Sequence, residues 1–453
     1  MYKIFFIVLM ISSIFPDDYI FSENIRITES SNNQKFPEST IDGNIIHLTW
    51  VSITGNNKNI IYSKSDNHGE TFSIPIQINY LDNNVVAYGG QSGPKINTFN
   101  NRVYITYTDN RSGLTSIYLN SSEDYGETWQ EEILISDTSY LNAYQDFEVD
   151  NQGNLHLVYY NYASSNHLDD VRYRFYEAGD NGFNASIVLG VVTDNMEPCD
   201  CCQPDLEIDI NGDIYVAYRN NQQNIRDTYI AVKRYGDENF SEYFQVSNLQ
   251  DFIGFCPSSG PSLDIKDGGI AIAYTSYNNQ NVYTSISNLE DMNFSNYISV
   301  NPNSNSFQNY PYILLDDNLH VVWVDQDGFD IFYGMVDEET NIILNVQKIN
   351  DDNSNSTQQD PIIYKGNDMF YSFWTDQRNG NYEIYFSKAT NESIVLGDIN
   401  QDTVIDILDV VLIIHFILGQ ENPNIIEEIA SDLNSDGIIN IQDVILMINL
   451  ILN

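Results

Sequence analysis

Short runs of β-branched and aromatic residues recur along most of the chain at intervals of about fifty residues, and each reads as a strand. The clearest are IIHLTWV from Ile45, RVYITYTD from Arg102, NLHLVYY from Asn154 and DIYVAYR from Asp213. GIAIAYT from Gly269, NLHVVWVD from Asn318 and MFYSFWTD from Met369 continue the series. Upstream of most of them a proline opens a shorter strand: Pro37, Pro94, Pro204, Pro261, Pro311 and Pro361, with Asp146 near the equivalent place in the third unit. A third strand follows each, such as NIIYSKS or DIFYGMV, and most units close on a fourth, such as PIQIN or EEILIS.

Four short strands repeated radially make the blade of a β-propeller. The pattern therefore predicts an all-β propeller over residues 22–393, with seven blades and six as the alternative. The seventh unit lacks a fourth strand of its own. NIRITES, Asn24 to Ser30, reads as that strand, supplied from the N-terminus. Sharing one blade between the two ends would close the ring and hide the sheet edges.

The chain opens with Met-Tyr-Lys and an apolar run from Ile4 to Phe15, which suits a secretory signal peptide over residues 1–21 and is short for a bilayer span. The mature protein is expected to be exported and soluble. Its 64 acidic and 19 basic residues give a net charge of −45, which makes nucleic acid and anionic membranes poor partners. Tyr (32) and Phe (22) are abundant, as in all-β proteins with aromatic-lined interiors.

The spacing Ser-x-Asp-x-Gly-x-Thr-Trp falls between third and fourth strands at Ser122, Asp124, Gly126, Thr128 and Trp129. A second copy has Ser65, Gly69, Thr71 and Phe72, with Asn67 in place of the acid. Acid and hydroxyls would cap turn amides there, Gly would allow positive φ, and the aromatic would pack between strands. This spacing resembles the Asp-box (BNR repeat) of sialidase-like propellers, a fold that also includes non-enzymatic glycan-binding proteins.

Strand order puts turns between second and third strands, and the crossings between blades, on one face. That face collects Asp109 and Arg111, Arg219, Arg226 and Asp227, Asp325 and Asp327, and Asp376 and Arg378. Four of the nine arginines gather there, so Arg111, Arg219, Arg226, Asp227 and Arg378 are the candidates for ligand binding. Arg226 and Asp227 also suit an ion pair pinning a long loop. The sialidase resemblance implies three arginines on a sugar carboxylate, a Tyr nucleophile with a Glu, and an Asp acid/base, hence an exo-alpha-sialidase-like glycoside hydrolase. Its opening Arg-Ile-Pro corresponds here to Lys35-Phe36-Pro37, where the arginine is missing. The reading without catalysis is a glycan- or protein-binding scaffold.

All four cysteines map to the same face: Cys199, Cys201 and Cys202 before blade four, and Cys256 before blade five. In an exported protein four cysteines suggest two disulfides, with Cys199, Cys201 or Cys202 bonded to Cys256 to staple blade four to blade five. A soft-metal site for copper or zinc, or free thiols, are the alternatives. His47, His156 and His320 recur at one strand position and read as repeat packing.

Two loop–helix units end the chain. DINQDTVIDILD places Asp398, Asn400, Asp402, Asp406 and Asp409 at loop positions one, three, five, nine and twelve; DLNSDGIINIQD places Asp432, Asn434, Asp436, Asn440 and Asp443 there. The backbone carbonyls of Val404 and Ile438 would add position seven, giving each loop hard oxygen donors for one calcium ion, two in all. Thr403 stands where the second loop has Gly437, so the first site is expected to be weaker. The helices that follow, Val410 to Leu418 and Val444 to Leu452, are apolar nearly all round. They could bury each other and rest on the neighbouring domain, or leave a face for a partner.

This module, residues 396–453, resembles a type I dockerin, whose loops characteristically end in Asp. The resemblance implies a cohesin-like partner, chosen partly through loop positions ten and eleven: Ile407 and Leu408, and Ile441 and Gln442. The whole then reads as a secreted, extracellular or cell-surface-attached bacterial protein that acts on or binds a glycan or glycoconjugate.

Overall fold

The structure, a computed structural model, describes residues 19–452 except 88–90, 164–167, 179–181, 190–196, 338–341, 367–368, 392–395, 401, 403, 421–422, 424–426, 428–429 and 435–437. The apolar run assigned to a signal peptide lies outside the described residues. Two compact units divide the chain: Glu23–Lys388, and the C-terminal segment from Ala389 together with the residues up to Ser22.

The strands of the larger unit form seven antiparallel sheets, one per repeat. The seven inner strands are Asn33–Asp42, Lys95–Phe99, Leu141–Val149, Asp205–Ile208, Ser262–Lys266, Gln308–Leu315 and Gln358–Lys365. The inner strands of blades seven and one touch, so the sheets close radially into a seven-bladed β-propeller, and the six-bladed alternative is excluded.

The N-terminal segment completes blade seven. Ile25 lies opposite Phe386 and Arg26 opposite Tyr385 on the strand Glu383–Asn391. Buried Glu383 fixes this closure by accepting from Thr28 Oγ1 (2.5 Å), Arg26 Nη2 (2.9 Å) and the Ser30 amide (3.0 Å). An earlier segment, Tyr19–Phe21, pairs with Asn391–Ala389, so the boundary expected after residue 21 falls at the end of a paired strand.

Apolar side chains fill the spaces between blades. Trp50 and Leu48 of blade one meet Phe373 and Phe386 of blade seven, and equivalent clusters join other neighbours. The three repeat histidines are core pieces. His47, His156 and His320 each face a third-strand tyrosine through Nδ1, namely Tyr62, Tyr173 and Tyr333, at 2.7, 2.8 and 2.8 Å. Burial first, and the Lys64 charge second, bring His47 down to about 4, so the imidazole is neutral.

At the turn over residues 122–129, Ser122 Oγ accepts from the Gly126 amide at 2.9 Å and Asp124 accepts from the amide and hydroxyl of Thr128 at 2.8 and 2.6 Å. Gly126 has φ +83°, and an added Cβ would sit 2.1 Å from the Tyr62 hydroxyl. Trp129 packs edge-on against Tyr62.

The C-terminal module has two helices, α1 (Ile407–Ile417) and α2 (Ile441–Leu452). Asp406 caps α1 through the Leu408 amide while Asp409 reaches back to the Asp406 amide. Val410 and Ile413 bury against Val444 and Met447, with Ile399 and Ala430 beneath. Leu412, Phe416 and Ile451 pack partly against this core, while Ile407, Leu408, Ile441, Ile445 and Leu452 are exposed.

Candidate functional site

The inner strands enter the central channel from the rim that carries the blade crossings. In four blades the entry is a β-bulge, between Lys35 and Glu38, Ala143 and Asp146, Asn309 and Tyr312, and Gln359 and Ile362. Each bulge holds a non-glycine residue in the left-handed region: Phe36 (φ 58°), Tyr144 (53°), Tyr310 (53°) and Asp360 (57°). The same strained conformation at equivalent places turns the following side chains toward the axis.

Glu38 and Asp146 follow two of these bulges, and Lys95 and Asp205 hold the equivalent places on inner strands that have none. Glu38, Lys95, Asp146 and Asp205 lie nearest the mouth, with Glu148, Glu207 and Asp264 deeper. Three of the acids have structural partners in the next blade. Asp146, Asp205 and Asp264 accept from the Leu206, Leu263 and Leu315 amides at 2.7, 2.7 and 2.6 Å. They thereby satisfy inner-edge N–H groups that no strand covers. Lys95 Nζ donates to Glu38 at 3.2 Å and to Asp146 at 3.3 Å. Burial opposes its charge, but Glu38, Asp146 and Asp205 hold its ammonium well above the usual range.

The deeper carboxyls are pushed the other way. Burial, then the Asp146 charge, raises Glu148 to about 8; burial, despite two backbone hydrogen bonds, raises Asp264 to about 7. Asp205 and Glu207 also rise, through burial and neighbouring carboxylates. Beside them the Tyr364 hydroxyl donates to Glu38, and Tyr312 bonds Tyr364. A phenol, a carboxylate and an ammonium thus meet at the mouth. The open space there is small, about 60 Å³, with about 150 Å³ below it.

The arginines do not converge on this mouth. Arg111 is held by Asp109 and Glu132 and stacks over Tyr118. Arg378 is held in the same manner by Asp376 and Asp351 and stacks over Tyr385. Lys35, where the sialidase resemblance would place an arginine, sits 4.4 Å from the ring centre of Tyr382. Arg219 and Arg226 are brought together, both buried, beneath the crossings to blades four and five. Arg219 donates to the Ser259, Arg226 and Thr275 carbonyls, and Arg226 to Ile253 O and to Cys199 Sγ at 2.7 Å. Asp227 accepts from Ser247 Oγ and the Leu249 amide, and burial raises its carboxyl. Cys201 is bonded to Cys256, but the second disulfide expected from four cysteines is not formed: Cys199 and Cys202 are free and buried, with Arg226 on Cys199.

A roomier cleft of about 760 Å³ opens on the opposite rim, between blades three and four. The turns Asp150–Asn154, Asp209–Gly212 and Tyr235–Glu238 surround it, with Tyr173, Phe175 and Lys233 on its walls. Tyr235 is 75% exposed. Its ring rests on Gly212, where an added Cβ would meet Cδ2 at 3.0 Å. One face of the ring is thereby backed and the other left open.

The channel residues and this cleft were not singled out by sequence. Glu38, Lys95 and Asp205 each directly follow an inner-strand proline, which is the signal that could have marked them.

In the C-terminal module the carboxylates at loop positions one and twelve hold the loop backbone through its amides. Asp409 Oδ1 accepts from the Ile399 and Asn400 amides, and Asp398 Oδ1 from the Asp402 amide. Asp443 repeats this with Asn434 and Asn440. Asp436 lies outside the described residues. Side-chain oxygens alternating along each loop, anchored by a buried Asp at position twelve, form a hard-donor set that fits calcium.

A seven-bladed propeller followed by a loop–helix module is the class these observations define. Residues 396–452 match the profile of the dockerin type I domain, and the C-terminal module is a dockerin type I domain. No curated protein matches the chain. Among solved structures, an ulvanlyase of a new polysaccharide lyase family, bound to -[GlcA(1-4)Rha3S]-, aligns over 82% of this chain and 96% of its own with TM-score 0.55 and 8% identity. The polysaccharide lyase Uly1 aligns over 83% and 98% with TM-score 0.52 and 10% identity. An intramolecular trans-sialidase from Ruminococcus gnavus follows at TM-score 0.44 and 10% identity, over 66% and 92%. These likenesses concern the fold.

Proposed function

We propose that this is an exported carbohydrate-recognition protein, whose propeller binds glycans and whose dockerin, braced by calcium, tethers it to a cohesin-type partner at the cell exterior. The observation that carries this reading is the dockerin on the same chain as a propeller with an aromatic cleft of about 760 Å³, within the size range of small-ligand sites. Tyr235 offers a backed ring for stacking on a sugar face, while Asn151, Gln152 and Lys233 offer hydrogen bonds to hydroxyls. Asp150, Glu177, Asp209, Asp237 and Glu238 oppose one lysine there, so the ligand is a neutral or amino-bearing glycan rather than a uronate or sulfate.

The dockerin donors are Asp398, Asn400, Asp402, Asp406 and Asp409 with the Val404 carbonyl, and Asp432, Asn434, Asp436, Asn440 and Asp443 with the Ile438 carbonyl. They would hold one ion each. Exposed Ile407, Leu408 and Ile441 support a partner-facing role for the helix starts. The described residues include no helix long and apolar enough to cross a membrane.

Isothermal titration against neutral, amino and uronic oligosaccharides tests the propeller half. Neutral or amino glycans should bind, and Tyr235→Ala should weaken them about three- to tenfold, the worth of one aromatic contact. Selective binding of uronates, or no change on Tyr235→Ala, would sink it. A second reading is glycoside hydrolysis at the mouth, favoured by the Tyr364–Glu38 pair. It predicts reducing-end release lost in Glu38→Gln, but the roughly 60 Å³ mouth and the dispersed arginines give it less support.

A further inference from the structure

All four cysteines of the chain meet at one point, although two crossings 55 residues apart deliver them. Cys199 Sγ lies 3.3 Å from Cys202 Sγ and 3.6 Å from Cys201 Sγ. The three sulfurs all lie within 4.8 Å of one another. Sulfurs bound at about 2.3 Å to one metal sit about 4 Å apart, so a single ion can reach all three.

The surroundings are built for sulfur anions. Arg226 puts Nη1 on Cys199 Sγ, and no carboxylate among the described residues pairs with this guanidinium. Arg219 lies behind, with Asp251 at 3.9 Å. A second feature points to a ligand at this place. The Tyr160 hydroxyl is fully buried and has no hydrogen-bond partner among the described residues. A buried hydroxyl left unpaired is costly, and a bound ion with its ligand shell would supply the partner.

We propose that this cluster binds a soft, thiophilic cation, Cu(I) foremost, through Cys199, Cys201 and Cys202, with the Cys201–Cys256 disulfide as its closed form. Soft thiolates select Cu(I) and Zn(II) over calcium, so the site does not compete with the dockerin loops. Three sulfurs suffice for Cu(I), whereas Zn(II) needs a fourth ligand, which only Cys256, exposed at the rim, would supply. That exposure also lets a dithiol reach the disulfide. The dithiol gives two electrons and two protons, the S–S bond opens to two thiols, and the reductant closes to its own disulfide. Cu(I) then displaces the remaining protons from the three thiols as three Cu–S bonds form.

The test is anaerobic titration of the full chain with Cu(I) against a chromogenic Cu(I) chelator, before and after reduction with a phosphine, with parallel Zn(II) titration. One Cu(I) per chain is expected after reduction, with thiolate-to-metal absorption in the ultraviolet. Cys199→Ser and Cys202→Ser should abolish it, and Arg226→Gln should weaken it about 10- to 100-fold, as loss of an outer-shell partner does. Cys256→Ser frees Cys201 and should bind without reductant; this variant keeps the question open to refutation should the buried serine variants not fold. Failure of reduced protein and Cys256→Ser to hold Cu(I) overturns the site. Tighter one-to-one Zn(II) binding overturns the choice of metal.

Discussion

Replacing Glu383 by alanine isolates the closure of the ring. Its carboxylate is buried and takes three donors, from Thr28, Arg26 and Ser30. Arg26 is about one-third exposed and regains water when its partner goes, so its share is small. The buried Thr28 hydroxyl and the Ser30 amide lose an acceptor at about 1–2 kcal/mol each. Together the loss is about 3 kcal/mol, or about 140-fold in a local opening constant. Hydrogen exchange reads this directly at the Ile27 amide, which donates to Ile384 O at 2.9 Å, and at the Ile384 amide, which donates to Thr28 Oγ1 at 2.9 Å. Both should exchange about 100-fold faster in Glu383→Ala, while Ile230 and Ile272 in blades four and five stay near parent rates. A change below threefold at Ile27 and Ile384, or equal acceleration in every blade, would refute the idea that this carboxylate fastens the closing strand.

Glu148→Gln should stabilise the propeller at alkaline pH. The folded value is raised from 4.5 to about 8, so the native state holds a proton that the unfolded state releases, and stability falls as pH rises across that window. The melting-temperature gap between variant and parent should widen from pH 6 to 9; a constant gap counts against the argument. Asp124 shifts the opposite way, from 3.8 to about 2, through the Thr128 hydroxyl and amide, so its contribution to the turn is present above pH 4 and lost as pH falls toward 2. Carboxyl chemical shifts should titrate near 2 in parent and rise in Thr128→Ala. Gly126→Ala combines positive φ with an overlap on Tyr62, and should cost at least about 2 kcal/mol in urea unfolding. Chelating calcium should reduce helical circular dichroism from α1 and α2. Asp443→Ala should remove one of two calcium ions by titration; two ions retained would contradict the ligand assignment.

The ring was legible in sequence because every blade repeats its second strand as a run rich in β-branched and aromatic residues. The closure by residues 24–30 was legible because the last unit lacked a partner strand. The channel was hidden for a geometric reason. Glu38, Lys95, Asp146 and Asp205 are about fifty residues apart in sequence, and only the closed circle makes them neighbours. The arginines misled in the other direction. A basic residue at a strand end reads as solvent-facing, yet Arg219 is 1% exposed and spends its donors on carbonyls. Cysteine spacing left the pairing open, since Cys199, Cys201 and Cys202 could each reach the second crossing.

The last blade borrows its outer strand from the beginning of the chain. A ribosome or export channel therefore delivers the latch before every blade and the catch only after six of them. Throughout synthesis Ile25 and Arg26 have nothing to pair with, and six finished sheets stand as an open arc until Glu383 arrives. A chain cut short anywhere before that point would keep two raw edges, and such edges join other copies. Completeness of the polypeptide is thus what separates a solitary ring from a sticky fragment, a check made once, at the final strand.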